Sequence, residues 1–232
     1  MPIILSIDSS TEHGSVALVR DGVLLASTSF HSPNGHSAML APAADALLRL
    51  VGKSTKQLDA VAISSGPGSY TGLRIGASLA KGLCFGADLP LIAISTLQAM
   101  ALHVQKTMVG LVSTVPFYLA PMIDARRMEV YTAAYDQNLR QQISPHAFVL
   151  QALPIFSRLE PEVPMYYFGS GAAKFVPILS ANPSYHYLPE IHPRAAEIGM
   201  LATTAFAAGQ FADASSYEPE YLKAFGQITA AG

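Results

Sequence analysis

Asp8, Asp124 and the run Gly66-Pro67-Gly68-Ser69-Tyr70-Thr71-Gly72-Leu73-Arg74-Ile75-Gly76 are the residues whose types and spacing could do chemistry. The glycine run lies between an apolar stretch at 60–64, with the look of a buried strand, and apolar residues at helical spacing from Thr71 to Phe85. Strand, glycine turn and helix together aim the free N–H groups of a helix start at an anion. On this reading Gly66, Gly68 and Ser69 would cradle phosphate, Arg74 would neutralise it, and Asp8 with Asp124 would hold Mg²⁺. The wording departs from the standard nucleotide loops. A Rossmann fingerprint needs glycine where Thr71 stands, and a P-loop needs Gly-Lys-Ser/Thr. The competing reading makes the loop a tight turn that docks a helix on its sheet. In it each aspartate caps its strand end by accepting backbone N–H bonds, and this is the reading we prefer for both.

Other nucleophiles and metal ligands are sparse. The seven histidines, His13, His31, His36, His103, His146, His186 and His192, include no i, i+4 pair, and there is no Cys-x-x-Cys. Ser69 is not in a G-x-S-x-G elbow. Cys84 lies inside an apolar helical run, as a buried small hydrophobe does. No metal site is expected, and no catalytic residue is assigned.

The elements that must position these residues follow from periodicity and turn chemistry. Strands are expected at 3–8, 14–20 and 23–30, the last two joined by the hairpin signal Asp21-Gly22. A helix over 37–51 follows, then a strand at 60–64, the glycine loop with its helix, a strand at 91–94 and a helix from Ser95 or Thr96. Three strands followed by alternating helices and strands describe a mixed sheet of ribonuclease H type. The plan repeats, with strands at 117–123, 129–136, 140–149 and 165–168, and helices after Gly171 and Pro193. Ile7-Asp8 is echoed by Ile123-Asp124. We expect a first lobe over 1–106, a smaller second lobe over 107–192, a helix near 193–209 packing back on the first lobe, and a C-terminal tail over 210–232.

Composition narrows the class. Half of the 232 residues are hydrophobic, enough for a substantial core, and 14 Lys and Arg stand against 16 Asp and Glu. There is no basic stripe of the kind a nucleic-acid grip needs. No run reaches the roughly 20 apolar residues of a membrane span. No export signal is visible, and a single cysteine fits a cytoplasmic location. Surplus apolar surface is expected to meet a protein partner.

The glycine loop, followed by Ala80-Lys81-Gly82-Leu83, resembles the signature of the TsaB (YeaZ) family. Ile4-Leu5-Ser6-Ile7-Asp8-Ser9-Ser10 is similar to that family's opening, Ile123-Asp124-Ala125-Arg126 to its central motif, and Glu220-Tyr221-Leu222-Lys223 to its closing one. The resemblance implies an α/β, two-lobed actin-like ATPase fold with duplicated mixed sheets flanked by helices. It also implies a non-catalytic paralogue of TsaD that works with TsaD-type and TsaE-type proteins in threonylcarbamoyladenosine modification of tRNA. No cofactor would be held tightly by this chain, ATP or ADP belonging to the complex, and tRNA would be met only through the complex. TsaD carries a His-x-x-x-His metal pair, whereas here His103 is followed by Thr107. The alternatives are a small-molecule kinase or ATPase of the same fold, using Asp8 and the glycine loop, and a glycoprotease-like metallopeptidase, which fails on its missing ligands.

The partner surface has its own physical argument. On the helix at 36–51, residues including Met39, Leu40, Ala43, Leu47 and Leu50 spread over an arc of roughly 220°, twice what one core face needs. On the next helix Gly72, Gly76 and Ala80 form an i, i+4, i+8 strip flanked by Leu79 and Leu83, read as permitting close helix approach. The resemblance implies that these two helices bundle with the same helices of TsaD, or of a second copy when TsaD is absent.

Overall fold

The computed structural model describes residues 1–32, 35–108, 115–149 and 156–222. The first sheet opens as a meander of β1 (Ile3–Asp8), β2 (His13–Arg20) and β3 (Val23–His31). Asp21 and Gly22 both take positive φ, 51° and 77°, which is the hairpin geometry that Asp-Gly favours. β4 (Ala60–Gly66) and β5 (Leu91–Ser95) then add in parallel beside β1, giving the order β3-β2-β1-β4-β5. The second sheet repeats this plan strand for strand. β6 (Tyr118–Asp124), β7 (Glu129–Asp136) and β8 (Gln141–Val149) form the meander, and β9 (Met165–Phe168) and β10 (Tyr185–Leu188) pair in parallel, in the order β10-β9-β6-β7-β8. The duplicated α/β architecture is therefore present, and β10 is an addition to what the sequence signals.

Helices α1 (His36–Leu50) and α2 (Tyr70–Ala87) cover one face of the first sheet, and α3 (Thr96–Met108) and α5 (Ala195–Ala207) lie between the sheets. A four-residue helix, α4 (Val176–Leu179), covers the far face of the second sheet. Strand alternation sorts the core. Leu5 and Ile7 of β1 face α1 and α2, while Ile4 joins the cluster of Ile198 and Ala202 on α5. Gly199 is needed on α5 because a Cβ there would stand 2.6 Å from Val19 Cγ2 and 2.8 Å from Ser6 Oγ. The sheets are tied at Glu197, which is 1% exposed although charged. Lys106 Nζ lies 3.3 Å from it, Arg194 Nε 3.4 Å and His103 Nδ1 3.6 Å. Burial pushes this carboxyl up, but the His103 hydrogen bond and the Arg194 and Lys106 charges outweigh burial and hold it below the ordinary glutamate value. Among the described residues no helix is long and apolar enough to cross a membrane.

Candidate functional site: the glycine loop and the α1/α2 face

The glycine loop starts where β4 ends and lies directly on the Asp8-Ser9-Ser10 turn that follows β1. A Cβ on Gly68 would collide with the Ser10 backbone, one on Gly72 with the Ser9 carbonyl, and one on Gly76 with Ser9 Oγ. These glycines let the start of α2 approach its own sheet, so the expectation that Gly72, Gly76 and Ala80 face a partner is corrected. Ala80 is fully buried in the first core together with Leu40 and Leu47, which are 1% and 4% exposed. The 3.6-residue period placed these side chains on shared faces correctly. It could not say which neighbour each face meets.

Three N–H groups where the loop enters α2 are satisfied by the chain itself. Ser69 N–H donates to Ser10 O at 2.7 Å, Leu73 N–H to Ser69 O at 2.9 Å, and Gly72 N–H to Ser69 Oγ at 3.3 Å. Ser69 is thus the N-cap of α2. Gly66, with φ of +120°, is covered by the carbonyl of Glu220, 2.6 Å from where a Cβ would stand. Glu220 and Ser10 thus stand against Gly66 and Gly68, and the Ser69 hydroxyl is engaged in capping α2.

Asp8 is completely buried beneath the loop. Its Oδ1 accepts from Ser10 Oγ at 2.7 Å and from Ser10 N–H at 3.2 Å, while Oδ2 has no hydrogen-bond partner among the described residues. Ser64 Oγ approaches without hydrogen-bond geometry. Burial drives the Asp8 carboxyl up, against a downward pull from the Ser10 bonds, Ser64 and His36. Asp124, at the matching end of β6, already has a cation. Lys174 Nζ pairs with its carboxylate and also donates to the carbonyls of Arg127 at 2.7 Å and Glu129 at 3.3 Å. Asp124 Oδ1 in addition accepts from Arg126 N–H at 2.7 Å, an aspartate turn in which Arg126 and Arg127 take positive φ. Both aspartates act as turn residues, and the lysine that completes the second one carried no sequence signal.

Histidines distant in sequence meet in space. The His13 ring is stacked on His192 at 3.7 Å and lies 4.5 Å from His31, at the mouth of the first hairpin. Burial, then the neighbouring His192 and His31, holds His13 below the usual histidine value. Among the described residues no three His, Cys, Asp or Glu side chains are grouped to hold a metal ion. Cys84 is 3% exposed, and burial pushes its thiol up to about 11.

An open surface lies on α1 and α2. A groove of about 590 Å³ runs between them, with His36, Leu40, Tyr70, Arg74, Ile75 and Leu79 in its walls. Met39, Leu50 and Phe85 stand 44%, 76% and 67% exposed on the same two helices, while Ala43 and Leu83 are half-buried. The exposed small-residue row of α2 is Ser78, Gly82 and Gly86, continuing i, i+4 from Arg74. Among the described residues, apart from the helix's own backbone, nothing lies within 4 Å of a Cβ built on Gly82 or Gly86. It is this row, one helix face away from the expected one, that is open to a neighbour.

Residues 29–149 match the family model described as TsaD, tRNA N6-adenosine threonylcarbamoyltransferase. The chain is 30% identical over 226 residues to the tRNA threonylcarbamoyladenosine biosynthesis protein TsaB of Bacillus subtilis, covering 95% of this chain and 93% of that one. The solved YeaZ from Pseudomonas aeruginosa superposes with a TM-score of 0.80 at 28% identity, over 96% of this chain and all of that one. In fold alone, the activator of 2-hydroxyisocaproyl-CoA dehydratase from Clostridium difficile, solved with bound ADPNP, aligns with a TM-score of 0.53 at 9% identity over 90% of this chain and 97% of that one. A duplicated actin-like fold, end-to-end similarity to a TsaB and the family's glycine loop packed on its Asp-Ser-Ser turn agree, and the chain belongs to the TsaB family.

Proposed function

We propose that this chain is a non-catalytic scaffold that docks a TsaD-type threonylcarbamoyltransferase through α1 and α2. With a TsaE-type ATPase, the assembly would serve threonylcarbamoyl transfer to the adenosine beside the tRNA anticodon. The observation that carries this reading is the α1/α2 face, an open groove with an exposed small-residue row and exposed Met39, Leu50 and Phe85 at its sides. Such a surface permits helices to approach at about 8–10 Å and to bury apolar area. The TsaD-model match, which spans both helices, supports a partner that presents a similar pair of helices. Two lobes presenting the same pair of helices can meet about a pseudo-twofold axis, and a second copy of this chain can take the same place when the partner is absent. Met39, Ala43, Leu50, Leu79 and Leu83 then contribute apolar contact, while Leu40, Leu47, Gly72, Gly76 and Ala80 support the helices from within. ATP or ADP belongs to the assembly, which works in the cytoplasm and brings tRNA to this chain indirectly.

The packing of Ser10 and Glu220 against the loop glycines, the sealed Asp8 and the Lys174 ammonium on Asp124 support the non-catalytic part of the reading. Size-exclusion chromatography of the chain with its organism's TsaD-type protein is expected to give a stable complex, and Gly82→Trp to abolish it while leaving the chain folded. ATP turnover by the isolated chain with Mg²⁺, lost in Asp8→Ala, would instead establish the kinase or ATPase reading.

A further inference from the structure

After α5 the chain stays on the first lobe as a strap. Ala212 N–H donates to Leu91 O at 2.8 Å, extending the edge of β5 by one antiparallel bridge. Asp213 then turns the chain, accepting from Ser215 N–H, Ser215 Oγ and Ser216 Oγ at 2.9, 2.7 and 2.7 Å. Lys81 Nζ on α2 reaches Ser215 O at 3.4 Å. Glu220 N–H donates to Ser65 O at 2.7 Å, and its carbonyl lies on Gly66. These anchors bring Tyr221 to the first turns of α2. Its ring centroid stands 4.8 Å from that of Tyr70, and its hydroxyl accepts from Arg74 Nε at 3.3 Å. Arg74 Cζ in turn sits 4.4 Å from the centre of the Tyr70 ring.

Tyr70 and Arg74 are walls of the α1/α2 groove, and Tyr221 touches both. We propose that the 212–222 strap makes this rim a preset receptor for a carboxylate. Tyr221 fixes Tyr70 by its ring and Arg74 through Nε, which leaves the two Nη nitrogens of Arg74 to take an acidic side chain of the TsaD-type partner. The proposal rests on the docking reading above and gives the closing Glu220-Tyr221-Leu222 motif a role. Arg74 is exposed, and among the described residues its Nη atoms make no hydrogen bond and its guanidinium no ion pair. Glu218 is near enough to be felt electrostatically without forming such a pair. A guanidinium stacked on one ring and tied at Nε has given up much rotamer freedom before the partner arrives. Its Nη edge is the fork that meets a carboxylate in two parallel bonds. Arg and Tyr are also the residue types on which binding energy concentrates. Tyr221 acts here through Arg74, as a positioning residue.

Titration calorimetry with the purified TsaD-type protein, at low and high salt, tests the proposal. Arg74→Ala is expected to weaken binding about tenfold and to flatten its salt dependence. Tyr221→Ala should give a similar loss, and the double variant no more than Arg74→Ala alone, because the two residues form one unit. Tyr221→Phe keeps the ring, loses the hydroxyl and should bind with an intermediate loss. A double variant whose loss is the product of the single losses would overturn the proposal, as would wild-type binding by a folded Tyr221→Ala. If Tyr221→Ala does not fold, Tyr221→Phe decides, and wild-type affinity in it rejects the strap's role. Leu79→Glu reports separately on the docking reading. If Leu79→Glu binds normally that reading fails. If it blocks docking while the Arg74 and Tyr221 variants bind normally, only the strap proposal fails.

Discussion

Ser9 and Gly76 are packed so that the serine hydroxyl occupies the space a side chain on that glycine would need. Gly76→Ala should therefore destabilise the chain by about 1–3 kcal/mol, the range for overpacking a closed site. Gly82, six residues along the same helix, has nothing among the described residues beyond its own helix backbone within 4 Å of its absent Cβ. Gly82→Ala is expected to stabilise the isolated chain by about 0.5–1 kcal/mol through helix propensity and unfolded-state entropy, while weakening the TsaD-type complex. Denaturant melts of both variants, with binding measured alongside, check the opposite signs.

Asp8→Asn should fold and dock as the wild type does. Asn Oδ1 can accept both Ser10 bonds, and its amide group can donate to Ser64 Oγ, which lacks a partner among the described residues. Because burial raises the folded-state value of the Asp8 carboxyl, its favourable contribution is present below the ordinary aspartate value and is lost as pH rises through the folded one. The asparagine variant is then expected to melt higher than wild type at about pH 8, with the gap closing towards about pH 4. Thermal melts across that range decide. A variant that is less stable throughout would place a required negative charge at Asp8.

Glu197 carries the opposite sign. Its folded-state value is lowered, so the stability it contributes is present above the ordinary glutamate value and lost as pH falls through the folded one. Glu197→Gln should cost about 1–3 kcal/mol at neutral pH, the scale of hydrogen bonds to charged groups. The loss should shrink in acid, where the wild type also gives up the charge. The same melts, read against pH, check it.

Cys84 should resist a thiol reagent in the folded chain. A 3% exposed thiol pushed up to about 11 offers little thiolate at neutral pH. Maleimide labelling is expected only after denaturant is added, and rapid labelling of native protein would show that the α2 core opens.

Much of the scaffold could be read from residue order, because each sheet opens with apolar runs and turn residues that leave few choices. Asp21-Gly22 alone identifies the first hairpin, and Ile123-Asp124 marks where the plan starts again. Tyr185-His186-Tyr187-Leu188 gives no strand signal for β10, since four mixed residues at a sheet edge show little alternation. The site was legible in composition but not in direction. Glycines at 72 and 76 announce a close approach without saying whether the neighbour is Ser9 or another molecule. Contacts between distant positions exist only in the folded chain: Lys174 with Asp124 within the second half, and His13 with His192 or Tyr221 with Arg74 once the chain has crossed back to the first.

That crossing also has a genetic consequence. The chain leaves the first sheet after α3 and returns at α5, so every strand of the second sheet is encoded between two helices that touch each other through Glu197. The second half of the fold is thus an insertion with its ends pinned together. Changes in length between those ends are expected to leave α1, α2 and the strap in place where the α3 contacts with β6 and β9 are kept, and natural variation in chain length within the family is expected to gather there.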